Sequence, residues 1–428
     1  MVLNETTGPT RRLAGNAMLF SFPILMLCVP RGASMVLVAI LLAWLLTARG
    51  APRLVGRQRQ MLYLLGAVIL AVAAVCFGSK LHYDLDWGAL DNPSRLLLIP
   101  LGFLAVLHCR PQRQWLWRGI PVAIGLALAV MLVQKIGMAQ ARPSAFLQPI
   151  AFGNMVAALG LIGFARPGRR RRDHLLAWGT LVGALLVLGI NGSRGAWVAT
   201  LMVFPLLLPV RHQGMRVRGF VLSVGAMLLL LVAAYLVPGS PVASRVDRIG
   251  TDLQMYRAGD PNSSIGARLL VWRLAARAAI ERPLMGVGLG RFGTVTGNLD
   301  GCAERERKRY EFCLAHAHND AMEALATTGV PGLLAMLSIF AVPGWLFAGA
   351  LRRRRQEGVD WTVPAAGLAF TAASVISGLT QVTMAHQANI VFYAGATGLL
   401  LGLTALGETT CKATESNNSD RSSENPAV

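Results

Sequence analysis

Apolar residues come in runs of roughly 17 to 20, the length an α-helix needs to cross the hydrocarbon core of a bilayer. Short polar segments, most of them basic, separate the runs. Read in order, the pattern predicts twelve spans, near 13–30, 33–48, 61–78, 95–109, 119–137, 148–165, 174–190, 196–210, 219–237, 329–348, 361–380 and 390–406. The ten-residue alternation of a transmembrane β-barrel is absent. The expected fold is therefore an all-α polytopic membrane protein with about 12 transmembrane helices. Residues 1–237 carry spans one to nine, 238–328 form one large, mainly helical loop, and 329–406 carry the last three spans. The polar stretch 407–428 is expected to be a disordered cytoplasmic tail.

Composition sharpens this. Of 428 residues, 54% are hydrophobic and 14% charged, against about 25% charged in soluble domains. Mean hydropathy is +0.51. The net charge of +20 would raise nucleic acid in a soluble chain. Here the arginines cluster in alternate gaps, at Arg49 to Arg59, Arg110 to Arg118, Arg166 to Arg172, Arg211 to Arg218 and Arg352 to Arg355. That is the positive-inside pattern, which puts these gaps and both termini in the cytoplasm and removes the case for nucleic acid. Arg11 and Arg12 precede a run without a small-residue cleavage site, so the first span reads as a retained helix.

Polar residues at membrane depth on the outer face are costly and mark candidate chemistry. Asn191-Gly-Ser-Arg-Gly-Ala-Trp197 ends the seventh span with a glycine-flanked Arg194 beside Ser193. A guanidinium matches phosphate through paired charge-assisted hydrogen bonds; the alternative is an arginine snorkelling to lipid headgroups. Residues 263–282 read as a helix opened by a serine cap and closed before Pro283. Arg268, Arg273 and Arg277 lie on it among Leu269, Leu270, Trp272 and Ile280. Amphipathicity places it in the interface plane without saying which arginine turns inward. His316-Ala-His318-Asn319 opens the tenth apolar region. Residues at i and i+2 diverge on a helix, which disfavours a shared metal, and a neutral imidazole is the natural general base near pH 7. Cys302 and Cys313 both fall in the outer loop, where an oxidising compartment predicts a disulfide around Glu304 to Arg309. Gly288-Leu-Gly-Arg-Phe-Gly293 has the glycine spacing of a nucleotide loop, but it follows a helix and Pro283, so a tight turn is expected.

His318-Asn319, nine residues, and Gly329-Val-Pro-Gly332 resemble the H-[NSQ]-x9-GxxG signature of bacterial O-antigen ligases. Residues 283–292, Pro-Leu-Met-Gly-Val-Gly-Leu-Gly-Arg-Phe, resemble the P-x-x-G-x-G-x-G-x-F pattern of the wider ligase and polymerase superfamily. The stretch 142–153, from Arg142 to Gly153, is similar to the family's Asn-Pro-Ile-x-Phe-Gly, with Gln148 where asparagine is usual. The resemblance implies a type C glycosyltransferase-like fold in the inner membrane with its site on the periplasmic side. It implies transfer of a preassembled O-antigen from undecaprenyl diphosphate to lipid A–core without metal or cofactor. His318 falls on the family's essential histidine, and Arg194 and Arg268 on its diphosphate-binding arginines. His316, Asn319, Ser193, Arg142, Gln148, Arg273 and Arg277 are supporting candidates. Arg273, Arg277 and the Arg305 to Arg309 cluster would suit an anionic core or anionic phospholipid. The alternatives are an O-antigen polymerase of the same superfamily and, in another class, a polytopic anion or lipid transporter; the lack of charged residues in mid-span weighs against the latter.

Overall fold

A computed structural model describes residues 8–47, 54–168, 170–212, 215–236, 243–297, 299, 302 and 310–423. Among them the regular elements are all helices. In chain order these are α1 (Pro9–Cys28), α2 (Gly32–Thr47), α3 (Gly56–Tyr83), α4 (Asp91–Ser94), α5 (Leu98–Cys109), α6 (Gln114–Leu132), α7 (Pro149–Phe164) and α8 (Arg171–Asn191). They continue with α9 (Arg194–Arg211), α10 (Val217–Leu236), α11 (Ala243–Arg257), α12 (Ser264–Glu281), α13 (Gly293–Gly297), α14 (Asp320–Gln356), α15 (Thr362–Thr380) and α16 (Gln387–Ser423). Every predicted apolar run falls on a helix. Among the described residues seven helical segments are by themselves long and apolar enough to cross a membrane: Gly56–Tyr83, Trp87–Cys109, Gln114–Gly137, Arg171–Asn191, Asp320–Gln356, Thr362–Thr380 and Gln387–Gly407. Helices α2, α7, α9 and α10 supply shorter apolar stretches. The protein is an all-α polytopic membrane protein; the expected twelve crossings rest on the shorter runs as well. The helix assignment of α16 runs to Ser423, through the polar stretch from which no order was expected.

The centre of the bundle is α7, whose Phe152, Met155, Val156, Leu159, Ile162 and Phe164 are all buried. Helix α16 lies against α5. A Cβ added at Gly398 would stand 2.5 Å from the Ile99 carbonyl oxygen, so only glycine permits this approach. Several arginines of the basic clusters brace one end of the bundle. Arg211 donates to the carbonyls of Arg166 (2.6 Å) and Gly168 (2.7 Å), and Arg354 to those of Asp360 (2.9 Å) and Thr404 (2.7 Å). Cations there satisfy carbonyls that helix ends and connecting loops leave without partners.

A second, smaller core forms at the opposite end. Val271, Ala275 and Ala278, one stripe of α12, pack with Phe292, Ala317 and Ala326. Ser263 caps α12 as the sequence predicts, accepting from the Gly266 N–H at 3.1 Å. The glycine-rich stretch after it does more than turn. The Val287 and Gly288 N–H groups donate to the Ala326 and Thr327 carbonyls at 2.9 Å each, and the Val330 N–H donates to the Pro283 carbonyl at 2.8 Å. Both glycine motifs are thus one interlock around a kink in α14, where Gly329 is non-helical with φ 69° and ψ −164°. Helix α3 braces the same loop, with the Ser79 hydroxyl accepting from the Leu289 N–H at 2.9 Å and the Tyr83 hydroxyl donating to the Gly286 carbonyl.

Cys302 and Cys313 are disulfide-bonded, 5.3 Å apart at Cα. The enclosed Glu304 to Arg309 cluster lies outside the described residues. Closing so short a loop is worth about 3 kcal/mol in the chain-entropy account. The double replacement Cys302→Ser and Cys313→Ser is expected to lower the melting temperature of the purified protein and to make it insensitive to reductant.

Candidate active site

His318 lies at the junction of the two cores. It is not on a helix, as the i, i+2 argument had supposed. The His316 to Asn319 segment is irregular, and α14 begins at Asp320 with Asn319 as its cap. The Asn319 carboxamide oxygen accepts from the Ala321 and Met322 N–H groups at 2.9 and 3.1 Å, which satisfies two of the free donors of the first turn. Capping accounts for the asparagine after the histidine. His318 itself sits at φ 49°, a left-handed conformation uncommon for a side chain of this size. Its half-buried ring is held through Nδ1, 2.6 Å from Oε1 of Gln381.

Burial is the main cause that pushes the His318 pKa below its usual 6.5. The bond to Gln381 opposes the shift, the Arg268 and His316 charges add to it, and Glu323 opposes it. The imidazole is therefore neutral at pH 7, the form that accepts a proton. Arg268, in the second turn of α12, is half-buried beside it, and burial lowers its pKa too; an arginine remains cationic under such a shift. Among the described residues no carboxylate pairs with Arg268. Arg273 and Arg277 are exposed. At about 100° per residue they stand roughly 140° and 180° around α12 from Arg268, so the helix turns one arginine in and two out.

His316 has a different task. Its Nδ1 meets Glu323 Oε1 at 3.0 Å, and Glu323 Oε2 accepts from the Ala317 N–H at 2.7 Å. The indole N–H of Trp272 donates to the Ala317 carbonyl at 2.8 Å. Ala317, fully buried between the two histidines, is thereby pinned from both sides. Asp320 reaches across to the α15–α16 loop and accepts from the Thr383 N–H (2.7 Å), the Thr383 hydroxyl (2.5 Å) and the Met384 N–H (3.1 Å). That loop carries Gln381 and also His386, whose ring centroid is 5.7 Å from that of His316. Gln381 and His386 were absent from the sequence-derived site, and Asp320 and Glu323 fall in the stretch from His316 to Glu323 that the sequence singles out, without a role assigned to them. Their only signal is polarity in the short break between two apolar runs and in the first turn of α14.

The Arg194 side chain lies outside the described residues. Its backbone opens α9, and a Cβ at Gly195 would stand 2.5 Å from the hydroxyl oxygen of Thr380, the neighbour of Gln381. The start of α9 therefore adjoins the residue next to the histidine's partner. Ser193 is buried and structural: its hydroxyl donates to the Pro149 carbonyl at 2.8 Å and is bonded to the Asn191 side chain. Asn191 in turn donates to the Pro143 carbonyl at 2.9 Å. These bonds tie the 142–153 loop to the turn before α9. Arg142 touches the Asn191 carbonyl at 3.5 Å, and Gln148 is exposed at the start of α7, its side chain making no cap.

A cavity of about 300 Å³ adjoins the site, with His316, Asp320 and Glu323 at its polar part and apolar walls from Val72, Met336 and Ile339. Among the described residues no group of three or more His, Cys, Asp and Glu side chains is placed to hold a metal.

Fold and site together define a polytopic membrane protein with a neutral histidine and, at the same end of its bundle, a half-buried arginine that pairs with no carboxylate among the described residues. Residues 179–337 match the sequence profile of the O-antigen ligase family. An O-antigen ligase of Escherichia coli is 23% identical over 159 residues, 36% of this chain and 37% of that protein. The exopolysaccharide production protein ExoQ of Rhizobium meliloti is 29% identical over 137 residues, 31% of this chain and 29% of its own. An uncharacterized protein of Haemophilus influenzae is 22% identical over 311 residues, 71% of this chain and 77% of that one. The resemblance to the O-antigen ligase and polymerase superfamily read from the motifs is borne out, and His318, Arg268 and the glycine interlock all lie within the matched segment.

Proposed function

We propose that this protein is an O-antigen ligase of the inner membrane. It transfers a preassembled glycan from undecaprenyl diphosphate to lipid A–core on the periplasmic face. The observation that carries the reading is Arg268: a half-buried guanidinium with no carboxylate partner among the described residues, next to a neutral imidazole. Buried charge is normally paired, so an anionic substrate group is the natural partner. The start of α9 supports the same reading, since among the described residues no side chain caps it and a helix N-terminus near Arg194 suits an anion.

In this mechanism the acceptor hydroxyl oxygen attacks the anomeric carbon of the donor sugar with inversion. The hydroxyl proton passes to Nε2 of His318. The bond between the anomeric carbon and the phosphate oxygen breaks, and its electron pair leaves with undecaprenyl diphosphate. Arg268 and Arg194 stabilise the charge that grows on the departing diphosphate. The apolar walls of the 300 Å³ cavity, along α3 and α14, suit a substrate that arrives through the bilayer.

Arg268→Ala is expected to lower the transfer rate by about 10²–10³. Arg273→Ala and Arg277→Ala, which remove solvated charges, should each change it by about fivefold or less. Initial rates with the three purified variants check this. Equal losses at all three positions would mean that α12 works as a general basic surface.

A further inference from the structure

We propose that Gln381 is the positioning residue that sets the tautomer and direction of the His318 imidazole through its side-chain carbonyl. The inference deepens the transferase reading and rests on it for its kinetic consequences. A neutral imidazole carries one N–H, and the nitrogen held by an acceptor must be the protonated one. With Oε1 of Gln381 2.6 Å from Nδ1, the lone pair lies on Nε2, the nitrogen that takes the proton in transfer.

Gln381 is itself well fixed. It is 8% exposed. Its N–H donates to the Ser377 carbonyl at 3.0 Å, closing α15, and Thr383 and Met384 just after it are clamped on Asp320. The nearby carboxylates are committed elsewhere: Glu323 to His316 and Ala317, Asp320 to Thr383 and Met384. A neutral carbonyl in this place has a distinct consequence. A carboxylate on Nδ1 would favour the imidazolium, whereas a carboxamide orients the ring and leaves it neutral. The charged and titratable groups acting on His318 are Arg268 from α12, His316 from its own segment, Glu323 from α14 and His386 from the α15–α16 loop.

Two variants of the full-length protein test this. Gln381→Met keeps the volume and removes the acceptor. Gln381→Glu keeps the acceptor, has no donor when ionised and adds a charge. In the transfer assay Gln381→Met should lower kcat about tenfold to a hundredfold, the scale seen when a histidine loses its orienting partner, with little change in the KM for donor. Gln381→Glu should retain transfer, with the acid limb of its pH profile moved up by about one unit or more. Nitrogen-15 NMR of histidine-labelled protein, with His318→Ala identifying the signal, reads the tautomer without substrate. The wild type should show a bare Nε2, and Gln381→Met a mixture. If the wild type makes no product but shows this change on Gln381→Met, the positioning role stands and the transferase reading falls. An unchanged tautomer and a wild-type rate in Gln381→Met would overturn the inference. So would a folded, inactive Gln381→Glu, which would mean that the amide nitrogen donates to the ring.

Discussion

Replacing His318 with alanine is expected to lower glycan transfer by about 10²–10⁴ while leaving the purified protein folded. Among the described residues the ring's side-chain bond is to Gln381, at the rim of the small core rather than inside it. Its left-handed backbone is a local cost to the native state that alanine would share, so the substitution exchanges one uncommon residue at φ 49° for another. Chemistry therefore suffers far more than stability. The pH profile carries the same signature. The folded pKa lies below 6.5 because burial disfavours the imidazolium, so the base form is present at neutral pH and is lost as pH falls through that lowered value. The acid limb of kcat/KM in the wild type should accordingly lie below pH 6.5. Initial rates across pH, set beside melting curves for wild type and His318→Ala, measure both effects; an unchanged profile in the variant would remove His318 from the reaction.

The second large effect is structural. Gly329→Ala should destabilise the site end of the protein by about 3 kcal/mol or more and abolish transfer with it. At φ 69° and ψ −164° the backbone occupies a region open essentially to glycine alone. An added Cβ would also stand 2.4 Å from the Pro283 carbonyl oxygen and 2.7 Å from the Leu284 carbonyl carbon. Both obstacles are backbone, so nothing can rotate away, and relief would break the bond from the Val330 N–H to Pro283. The kink would then no longer hold the glycine-rich loop, nor the start of α14 that carries Asn319, Asp320 and Glu323. Gly290→Ala is the matched control. It has φ 74° but nothing within 4 Å of its Cβ, so it should cost about 1 kcal/mol, the left-handed penalty alone. Melting temperatures of the two variants separate the cases.

Much of the architecture is legible in the sequence because a bilayer leaves few choices. Backbone groups in hydrocarbon must bond within their own helix, so an apolar run of sufficient length fixes its element, and each predicted run falls on one. The Ser263 cap and the end of α12 before Pro283 are local signals and are read correctly. The site is legible only in part. His318 stands out because it belongs to a motif, and Arg268 only through the family resemblance; which of three arginines turns inward depends on the face of α12 that meets Ala317 and Phe292, and that is decided by tertiary packing. Gln381 lies 63 residues from its partner, in a break between spans whose sequence, Thr-Gln-Val-Thr-Met-Ala-His, shows no period. Gly288 to Gly293 has the spacing of a nucleotide loop, yet the stretch serves packing: the Gly288 N–H donates to the Thr327 carbonyl, and at the preceding Gly286 a Cβ would stand 2.4 Å from the Ala326 carbonyl oxygen. Ser193 looked like a companion to Arg194 and proves to be a strut between loops.

The central claim is the transfer reaction, and the most direct measurement supplies the purified protein with undecaprenyl diphosphate-linked glycan and lipid A–core in the presence of EDTA. The account predicts glycan joined to lipid A–core by the wild type and almost none by His318→Ala. Lengthening of the lipid-linked glycan, with lipid A–core unmodified, would contradict it in favour of a polymerase, and intact substrates after incubation would remove the transferase reading altogether.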